Sequence, residues 1–571
     1  MKQNTIYITL IAFTAAIGGF LLGFDGSVIS GAVPFYKTVF NLDDGSFLLG
    51  FSVSCIIWGS ILGNFIAGPM SDKIGRKPSL LIAAVLFAVS ALISALANNI
   101  NFFIFGRIIG GFGVGIAILV APVYIGEIAP AKDRGWLVSF NQLLIVIGLS
   151  AAYFSNYFVL KAFDDPLTNW RYMLGIEIIP ALIYFIGIFI IPESPRWLLM
   201  KGRESRALDV LMKVGDEAYA KAELEQIKKT INPDGQESLK SQASFFFSKK
   251  MRLVLIIGFG LAILQQFSGI NAILYYAPMV FESAGGGRDA AFMQAAVLGL
   301  VFLVMTIVSM FLIDRIGRKP LLYAGISLMA FSLTFTGIQF KKARYIVNSD
   351  QITLTANTIL ESDFWALAKT KNSKLVNYDG FKLEADMAIF FSGEDEISSI
   401  ALAEENARAL INKRNTFITS VSGIKDKSYL NELEFYSAID QSLVGSGIAA
   451  SDYKPVLLKD GIKINSFLVL LSILGFITGF SISLGPVMWA IFSEIFPNRI
   501  RGFAISAVGT INAFSSFLVA TFFPVQLANF GSSTTYFIYA GFMFFCLFFT
   551  WKYVVETKGK SLEELEKQLI D

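Results

Sequence analysis

No histidine occurs anywhere in the 571 residues, and cysteine is reduced to two, Cys55 and Cys546, each inside an apolar run. Without His the commonest metal ligand, the usual general base and every Ser-His or Cys-His nucleophile pairing are missing, which argues against hydrolases and metalloenzymes. Two lone cysteines make neither a disulfide framework nor a Cys-rich metal site. Charge is scarce as well: 16% of residues are charged against 54% hydrophobic, with 54 Phe and a mean hydropathy of +0.60. Soluble domains carry about 25% charged residues, so this composition is that of an integral membrane protein. Forty-seven basic against 44 acidic side chains leave a net charge of +3, too even to suggest nucleic acid as a partner. Any proton chemistry must rest on carboxylates, and nothing calls for a metal or an organic cofactor.

What is present is a series of long apolar runs. The first starts near Tyr7 and continues past Ile29, too long for a secretory h-region. Others follow at about 47–70, 79–97, 101–123, 136–160, 172–191, 252–282, 291–313, 320–340, 464–492, 502–528 and 533–554. Each is long enough to cross about 30 Å of hydrocarbon, which predicts twelve membrane helices. Basic residues gather after the second run (Lys73, Arg76, Lys77), after the eighth (Arg315, Arg318, Lys319) and between the sixth and seventh (Arg196, Lys201, Arg203, Arg206). If the helices alternate in direction, these clusters share one face, which the positive-inside rule makes cytoplasmic, along with both termini.

The chain also repeats itself. Asp72, Gly75, Arg76, Lys77 and Pro78 recur at the same spacing as Asp314, Gly317, Arg318, Lys319 and Pro320. Glu127-Ile-Ala-Pro130 with Arg134-Gly135 returns as Glu494-Ile-Phe-Pro497 with Arg501-Gly502. Two matches in the same order predict a duplicated six-helix unit, hence two pseudo-symmetric bundles. Asp72 to Glu127 is 55 positions and Asp314 to Glu494 is 180, so the second half is longer by about 125 residues. The surplus lies between spans nine and ten, is polar, and follows an odd-numbered helix, which predicts an external domain. The expected divisions are a bundle at 1–192, a cytoplasmic helical linker at 193–251, spans seven to nine at 252–340, the inserted domain at 341–463, spans ten to twelve at 464–555 and a cytoplasmic tail at 556–571. Within the linker, 203–214 and 217–230 are amphipathic. Within the insertion, 401–414 has helical character and 345–355 partial alternation, without defining a fold.

Asp25 stands out, because an acid inside an apolar span is costly and faces a cavity or an opposite charge. A rise of 1.5 Å per residue puts it roughly 27 Å from the cytoplasmic end of span one, and puts Arg107 roughly 9 Å from the outer end of span four. The two depths agree. Such a pair either couples proton binding to helix movement or is a static tie between helices. The paired Asp-x-x-Gly-Arg-Lys turns, with Glu127 and Arg134 and with Glu494 and Arg501, have the chemistry of gates that bind in one conformation and release in another. The alternative is that their cations only set topology. Glu193-Ser-Pro-Arg196 and Glu556-Thr-Lys-Gly559 are weaker echoes. Gln142, Gln265, Gln266, Asn271 and Asn512 carry amides into the spans, and Trp489 follows Gly485-Pro486. Amides around an aromatic plate suit a neutral sugar or polyol; otherwise they tie helices together.

Gly-Phe-Asp-Gly-Ser-Val-Ile-Ser-Gly (23–31), Gly-Pro-Met-Ser-Asp-Lys-Ile-Gly-Arg-Lys (68–77), Gly-Arg-Ile-Ile-Gly-Gly (106–111), Pro-Glu-Ser-Pro-Arg-Trp-Leu (192–198), Gln-Gln-Phe-Ser-Gly-Ile-Asn (265–271) and Val-Glu-Thr-Lys-Gly (555–559) form a distinctive set. With these motifs the chain resembles the sugar porter family of the major facilitator superfamily, along its whole length except the insertion. In motifs it is closest to bacterial members that carry xylose with a proton. The resemblance implies an alternating-access carrier in which Gln142, Gln265, Gln266, Asn271, Trp489 and Asn512 contact the sugar. It also implies that Asp25 is the proton-coupling acid and Arg107 its partner. Leu22, Phe302 and Ala513 depart from the family pattern and reshape the pocket. The insertion has no counterpart in familiar members; its lack of Cys, His and glycosylation acceptors fits a bacterial inner membrane. The reading is a symporter whose partners are a neutral monosaccharide, protons and the lipid bilayer, with no assigned partner for the insertion. A facilitative uniporter and a non-transporting sugar sensor are the alternatives. An enzyme in the insertion would have only the acidic run Glu394-Asp395-Glu396 to work with.

Overall fold

The computed structural model describes residues 4–130, 133–163, 165, 167–230, 239–357, 409, 412–448, 457, 461–497, 499–560 and 562–570. The chain divides into two compact units. One comprises Met1–Glu282, Gly286–Ile338 and Ser466–Asp571, the other Ser283–Gly285 and Gln339–Asn465.

In the larger unit, eleven helices among the described residues are long and apolar enough to cross a membrane. The first five are Thr5–Val39, Phe47–Ile74, Arg76–Leu96, Ile100–Ile128 and Arg134–Ala162. Asn4, Ser46 and Asn99 cap three of them, their side chains accepting from Tyr7, Leu49 and Phe102 N–H. The eleventh, Arg501–Tyr553, has 53 residues and is broken once, at Gly531, whose φ of 73° and ψ of 165° leave the helical region. At 1.5 Å per residue it is about 80 Å long, enough for two crossings. It therefore holds spans eleven and twelve, and twelve crossings result.

Three spans expected to be continuous are interrupted. Span six is Asn169–Gly175 followed by Ile178–Ile190. Span seven is Arg252–Gln266, Ile270–Tyr275 and Ala277–Glu282, turning at Gly269 with φ of 85°. Span ten is Ser466–Ile482 and Pro486–Ile495, where Pro486 starts a new helix because it has no N–H to continue the old one. Interrupted helices free backbone groups at membrane depth, which is tolerated where they are buried in protein or line a cavity.

Helix pairs approach closely at glycines. A Cβ on Gly23 would lie 1.8 Å from Ile145 O in span five, and one on Gly111 would lie 2.1 Å from Ile56 O in span two. Contact at this range, without a hydrophobic force between helices in lipid, is how such bundles pack. Between the bundles run Glu204–Val214 and Glu217–Thr230, preceded by Pro195–Met200 and followed by Leu239–Phe246. A further helix, Leu562–Ile570, lies within the tail segment 556–571.

The second unit adds a small antiparallel sheet to an otherwise helical chain. Its strands are β1 (Arg344–Ile346), β2 (Ser428–Tyr429) and β3 (Ile462–Lys463), in the order β2-β1-β3, with Tyr345 opposite both Tyr429 and Ile462. The alternation at 345–355 gives way to a helix at 349–357. Asn348 and Gln351 cap each other there, Gln351 N–H donating to Asn348 Oδ1 (2.8 Å) and Asn348 N–H to Gln351 Oε1 (2.9 Å). Tyr345, Val347, Ile352, Phe417, Phe435 and Ile439 form its core. Most of the helical stretch expected at 401–414, and the run 394–396, lie outside the described residues.

Candidate transport site

Asp25 and Arg107 meet inside the first bundle, at 0% and 1% exposure. Arg107 Nη1 donates to Asp25 Oδ1, and Nη2 donates to the backbone oxygen of Asp25 at 3.2 Å. Glu177, at the break in span six and 1% exposed, acts electrostatically on both. Sequence reasoning passed over Glu177, although it meets the criterion that picked out Asp25: an acid inside an apolar run. Two carboxyl groups thus face one guanidinium, and the cluster is neutral only with one proton bound.

Four of the predicted amides form one network in the second bundle. Gln266 Nε2 donates to Gln265 Oε1 (3.1 Å) and Asn512 Oδ1 (3.1 Å), and Asn512 Nδ2 donates to Gln265 Oε1 (2.8 Å). Asn271 Nδ2 donates to Gln266 Oε1 (2.8 Å) and to Ser516 Oγ (2.6 Å), a residue sequence reasoning did not select. The interruptions make this arrangement possible: Gly269 lets Asn271 fold back on Gln266, and Gln265 Nε2 reaches Leu484 O (2.8 Å) at the break in span ten. Gln142 and Trp489 are exposed, Trp489 packing edge-on against Phe492. Phe302 is buried against Phe480, while Leu22 and Ala513 are half-buried. Next to Asp25, Gly26 lies near span seven: a Cβ there would be 3.7 Å from the ring of Tyr275, four residues after Asn271.

The repeated charge motifs form two matching clusters, each within its own bundle. Arg76 grips Glu127 with Nε and Nη2 (2.9 Å each) and Asp72 with Nη1 (2.9 Å). Arg318 does the same with Glu494 (3.2 and 2.8 Å) and Asp314 (3.2 Å). The weak echoes complete both clusters. Glu193 accepts the N–H groups of Arg76 (3.1 Å) and Lys77 (3.2 Å), and Glu556 those of Arg318 (3.1 Å) and Lys319 (2.9 Å). Each carboxylate therefore sits at the N-terminus of a span, where free N–H groups and the helix dipole favour an anion. Burial pushes the Glu193 carboxyl up despite these bonds; at Glu556 burial is outweighed by four backbone N–H groups, which hold it below its ordinary value. The expected pairing of Glu494 with Arg501 is not made: Arg501 Nε donates to Phe496 O (3.1 Å) instead. Arg196 is exposed, and the side chain of Arg134 lies outside the described ones.

Among the described residues, side-chain hydrogen bonds join the bundles toward the end remote from the termini. They include Ser54–Thr521 (2.6 Å), Ser150 to Gly299 O (2.7 Å), Tyr153 to Leu274 O (2.6 Å) and Lys161 to Asp289 (2.6 Å).

Twelve crossings in two matched halves, with an amide network in one and a sealed ion pair in the other, are the architecture of a membrane carrier. The profile of the family described as Sugar (and other) transporter matches residues 11–360 and 443–569, and the chain belongs to that family. It is 31% identical to the D-xylose-proton symporter of Escherichia coli (strain K12) over 598 residues, covering 99% of this chain and 96% of that one. It is 30% identical to the arabinose-proton symporter of Bacillus subtilis (strain 168), covering 98% and 95%. Its fold matches the inward-open conformation of the xylose transporter XylE from E. coli with a TM-score of 0.68, at 30% identity, covering 98% of this chain and 100% of that one. It is a multi-pass membrane transporter, not an enzyme.

Proposed function

We propose that the protein is a proton-coupled symporter of a neutral monosaccharide, working by alternating access, with Asp25 as the coupling acid. The observation that carries this reading is the Asp25–Arg107 pair, excluded from solvent and shared with Glu177. Protonation of Asp25 cancels its charge and frees the Arg107 guanidinium, weakening the tie between spans one and four. Span one can then move against Tyr275 and so against the amide network that holds the sugar. The network offers donors and acceptors together, which matches hydroxyl groups and suits neither phosphate nor lipid. That sugar-proton symporters are among its relatives supports the reading, as does the variety of sugars named for them.

The charge clusters serve as gates at the end carrying the termini. They bond within their own bundles here while the far end is joined, which is an inward-facing arrangement. The orientation follows the basic clusters: termini and linker in the cytoplasm, the inserted unit outside, in a plasma membrane of bacterial type. The test is uptake in proteoliposomes. Asp25→Asn abolishes accumulation driven by a pH gradient and keeps sugar exchange; a variant that still concentrates sugar refutes the assignment.

A further inference from the structure

The carboxyl group of Asp25 uses one of its oxygens on Arg107. The other, Oδ2, is buried and has no hydrogen-bond partner. Three further buried polar atoms nearby in the first bundle are without partners among the described residues: Ser90 Oγ and Ser94 Oγ on span three and Arg107 Nε on span four; the Glu177 carboxyl on span six lies within hydrogen-bond reach of the Asp25 carboxyl and can share a proton with it. Ser90, Ser94 and Glu177 are each 1% exposed. An orphaned buried polar atom costs about 1–3 kcal/mol, so several in one place mark a site that binds something polar. Glycines let spans three and four approach closely here. A Cβ on Gly110 would lie 2.4 Å from Ser90 Oγ and 3.2 Å from Asp25 Oδ2, and one on Gly106 would lie 3.1 Å from Ser94 Oγ. The first two distances place Ser90 Oγ and Asp25 Oδ2 within about 5.6 Å of each other, the span of two ordinary hydrogen bonds through one water. Ser90 and Ser94 are one turn apart, as are Gly106 and Gly110, so hydroxyls and glycines face each other along two antiparallel helices. Ser94 lies about 3 Å and Ser90 about 9 Å from the end of span three at Leu96. Above them Arg171 closes that end, donating to Ala95 O (2.7 Å) and Asn98 Oδ1 (3.3 Å).

We propose that Ser90 and Ser94 bind water against Asp25 Oδ2, and that the coupling proton reaches the acid along these hydroxyl groups and their water inside the first bundle rather than through the sugar network. The inference rests on Asp25 being the coupling acid. In the transfer, the water beside Asp25 gives its proton to Oδ2 and takes one from the hydroxyl or water on its outer side. As many O–H bonds form as break, and one proton moves inward. The other titratable or charged groups acting on Asp25 are Arg107 on span four, Glu177 on span six, Cys55 on span two and Tyr275 on span seven. Span five meets span one at Gly23 through Ile145 and Leu149, which do not titrate.

The test compares Ser90→Ala/Ser94→Ala with wild type in proteoliposomes, reading sugar exchange, accumulation driven by a pH gradient and the pH profile of uptake. The expected result is exchange near wild type with accumulation reduced about fivefold or more and a displaced pH profile. If the alanine pair impairs exchange, Ser90→Cys/Ser94→Cys, nearly isosteric but a poor hydrogen-bond partner, repeats the measurement. Wild-type accumulation and pH profile in the double variant overturn the proposal. So does parallel loss of exchange and accumulation in both pairs, which marks the serines as structural, and so does accumulation driven by a sodium gradient, which makes the cluster a cation site. If Asp25→Asn loses accumulation while the serine variants keep it, only this inference fails. If Asp25→Asn keeps accumulation, the coupling reading fails with it.

Discussion

The two halves of the chain contain an internal control, the turns at Gly75 and Gly317. Their backbones coincide, with φ of 111° and 110° and ψ of 163° at both, a region that residues with a side chain avoid. Alanine at either position costs about 1–3 kcal/mol in backbone strain. The surroundings differ. A Cβ at 75 would lie 2.2 Å from Glu193 Oε2, whereas one at 317 would lie 3.0 Å from Glu556 Oε2. Glu556 has to shift by only a few tenths of an ångström and keeps its N–H bonds. Glu193 must swing away and lose those from Arg76 and Lys77, each charge-assisted and worth about 1.5–3 kcal/mol. The totals are on the order of 4–9 kcal/mol for Gly75→Ala and about 1–3 kcal/mol for Gly317→Ala. Thermal unfolding of the detergent-solubilised protein, followed by tryptophan fluorescence, reads the difference. Trp197 is a local reporter, because its indole donates to Asp72 O (3.0 Å) beside the first turn. Gly75→Ala should lower the midpoint clearly more than Gly317→Ala. Equal shifts, or the reverse order, refute the account of Glu193 as a cap.

The same pair of carboxylates predicts opposite pH behaviour. The Glu193 carboxyl is raised by burial above its ordinary 4.5, so the folded protein holds that proton more tightly than the unfolded chain. Its ionisation costs stability as pH rises through the raised value. Glu556 is lowered, so its contribution is present above 4.5 and lost as pH falls through its depressed value. Unfolding midpoints of Glu193→Gln and Glu556→Gln against wild type, between about pH 3 and pH 8, should show the wild-type advantage at 193 shrinking as pH rises above 4.5, and that at 556 growing with pH below 4.5 and level above it. Gln266→Ala removes the amide that bonds Gln265, Asn271 and Asn512 and strands buried partners at about 1–3 kcal/mol each. Sugar affinity should fall about tenfold or more, and unchanged binding by isothermal titration would place the sugar elsewhere. Gly531→Ala strains the break between spans eleven and twelve by about 1–3 kcal/mol, visible as a lower unfolding midpoint, whereas an unshifted midpoint would mean the break is dispensable.

Most of the larger unit could be read from hydropathy, because a span must satisfy its backbone internally and stay apolar over its length. The breaks could not. Gly269 and Gly531 resemble other glycines in apolar runs, and only packing selects which of them leaves the helix. The duplicated motifs located the charge clusters, but the choice of partner, Glu127 for Arg76 across 51 positions, depends on how spans three and four lie against each other. Likewise Glu494 pairs here with Arg318 and not with Arg501 of its own motif, a choice that also depends on how the spans lie together. Glu177 was visible and was missed, since span six was treated as an uninterrupted apolar run. In the second unit the strands are two or three residues long, too short for alternation to mark them.

Central to all of this is that sugar and proton move together. The most direct test adds pentoses and hexoses in turn to a weakly buffered suspension of de-energised cells carrying the protein, and follows external pH. A transported sugar should make the medium more alkaline, with no such change in cells carrying Asp25→Asn. Sugar entering the wild-type cells at the same rate with no shift in external pH would contradict the account.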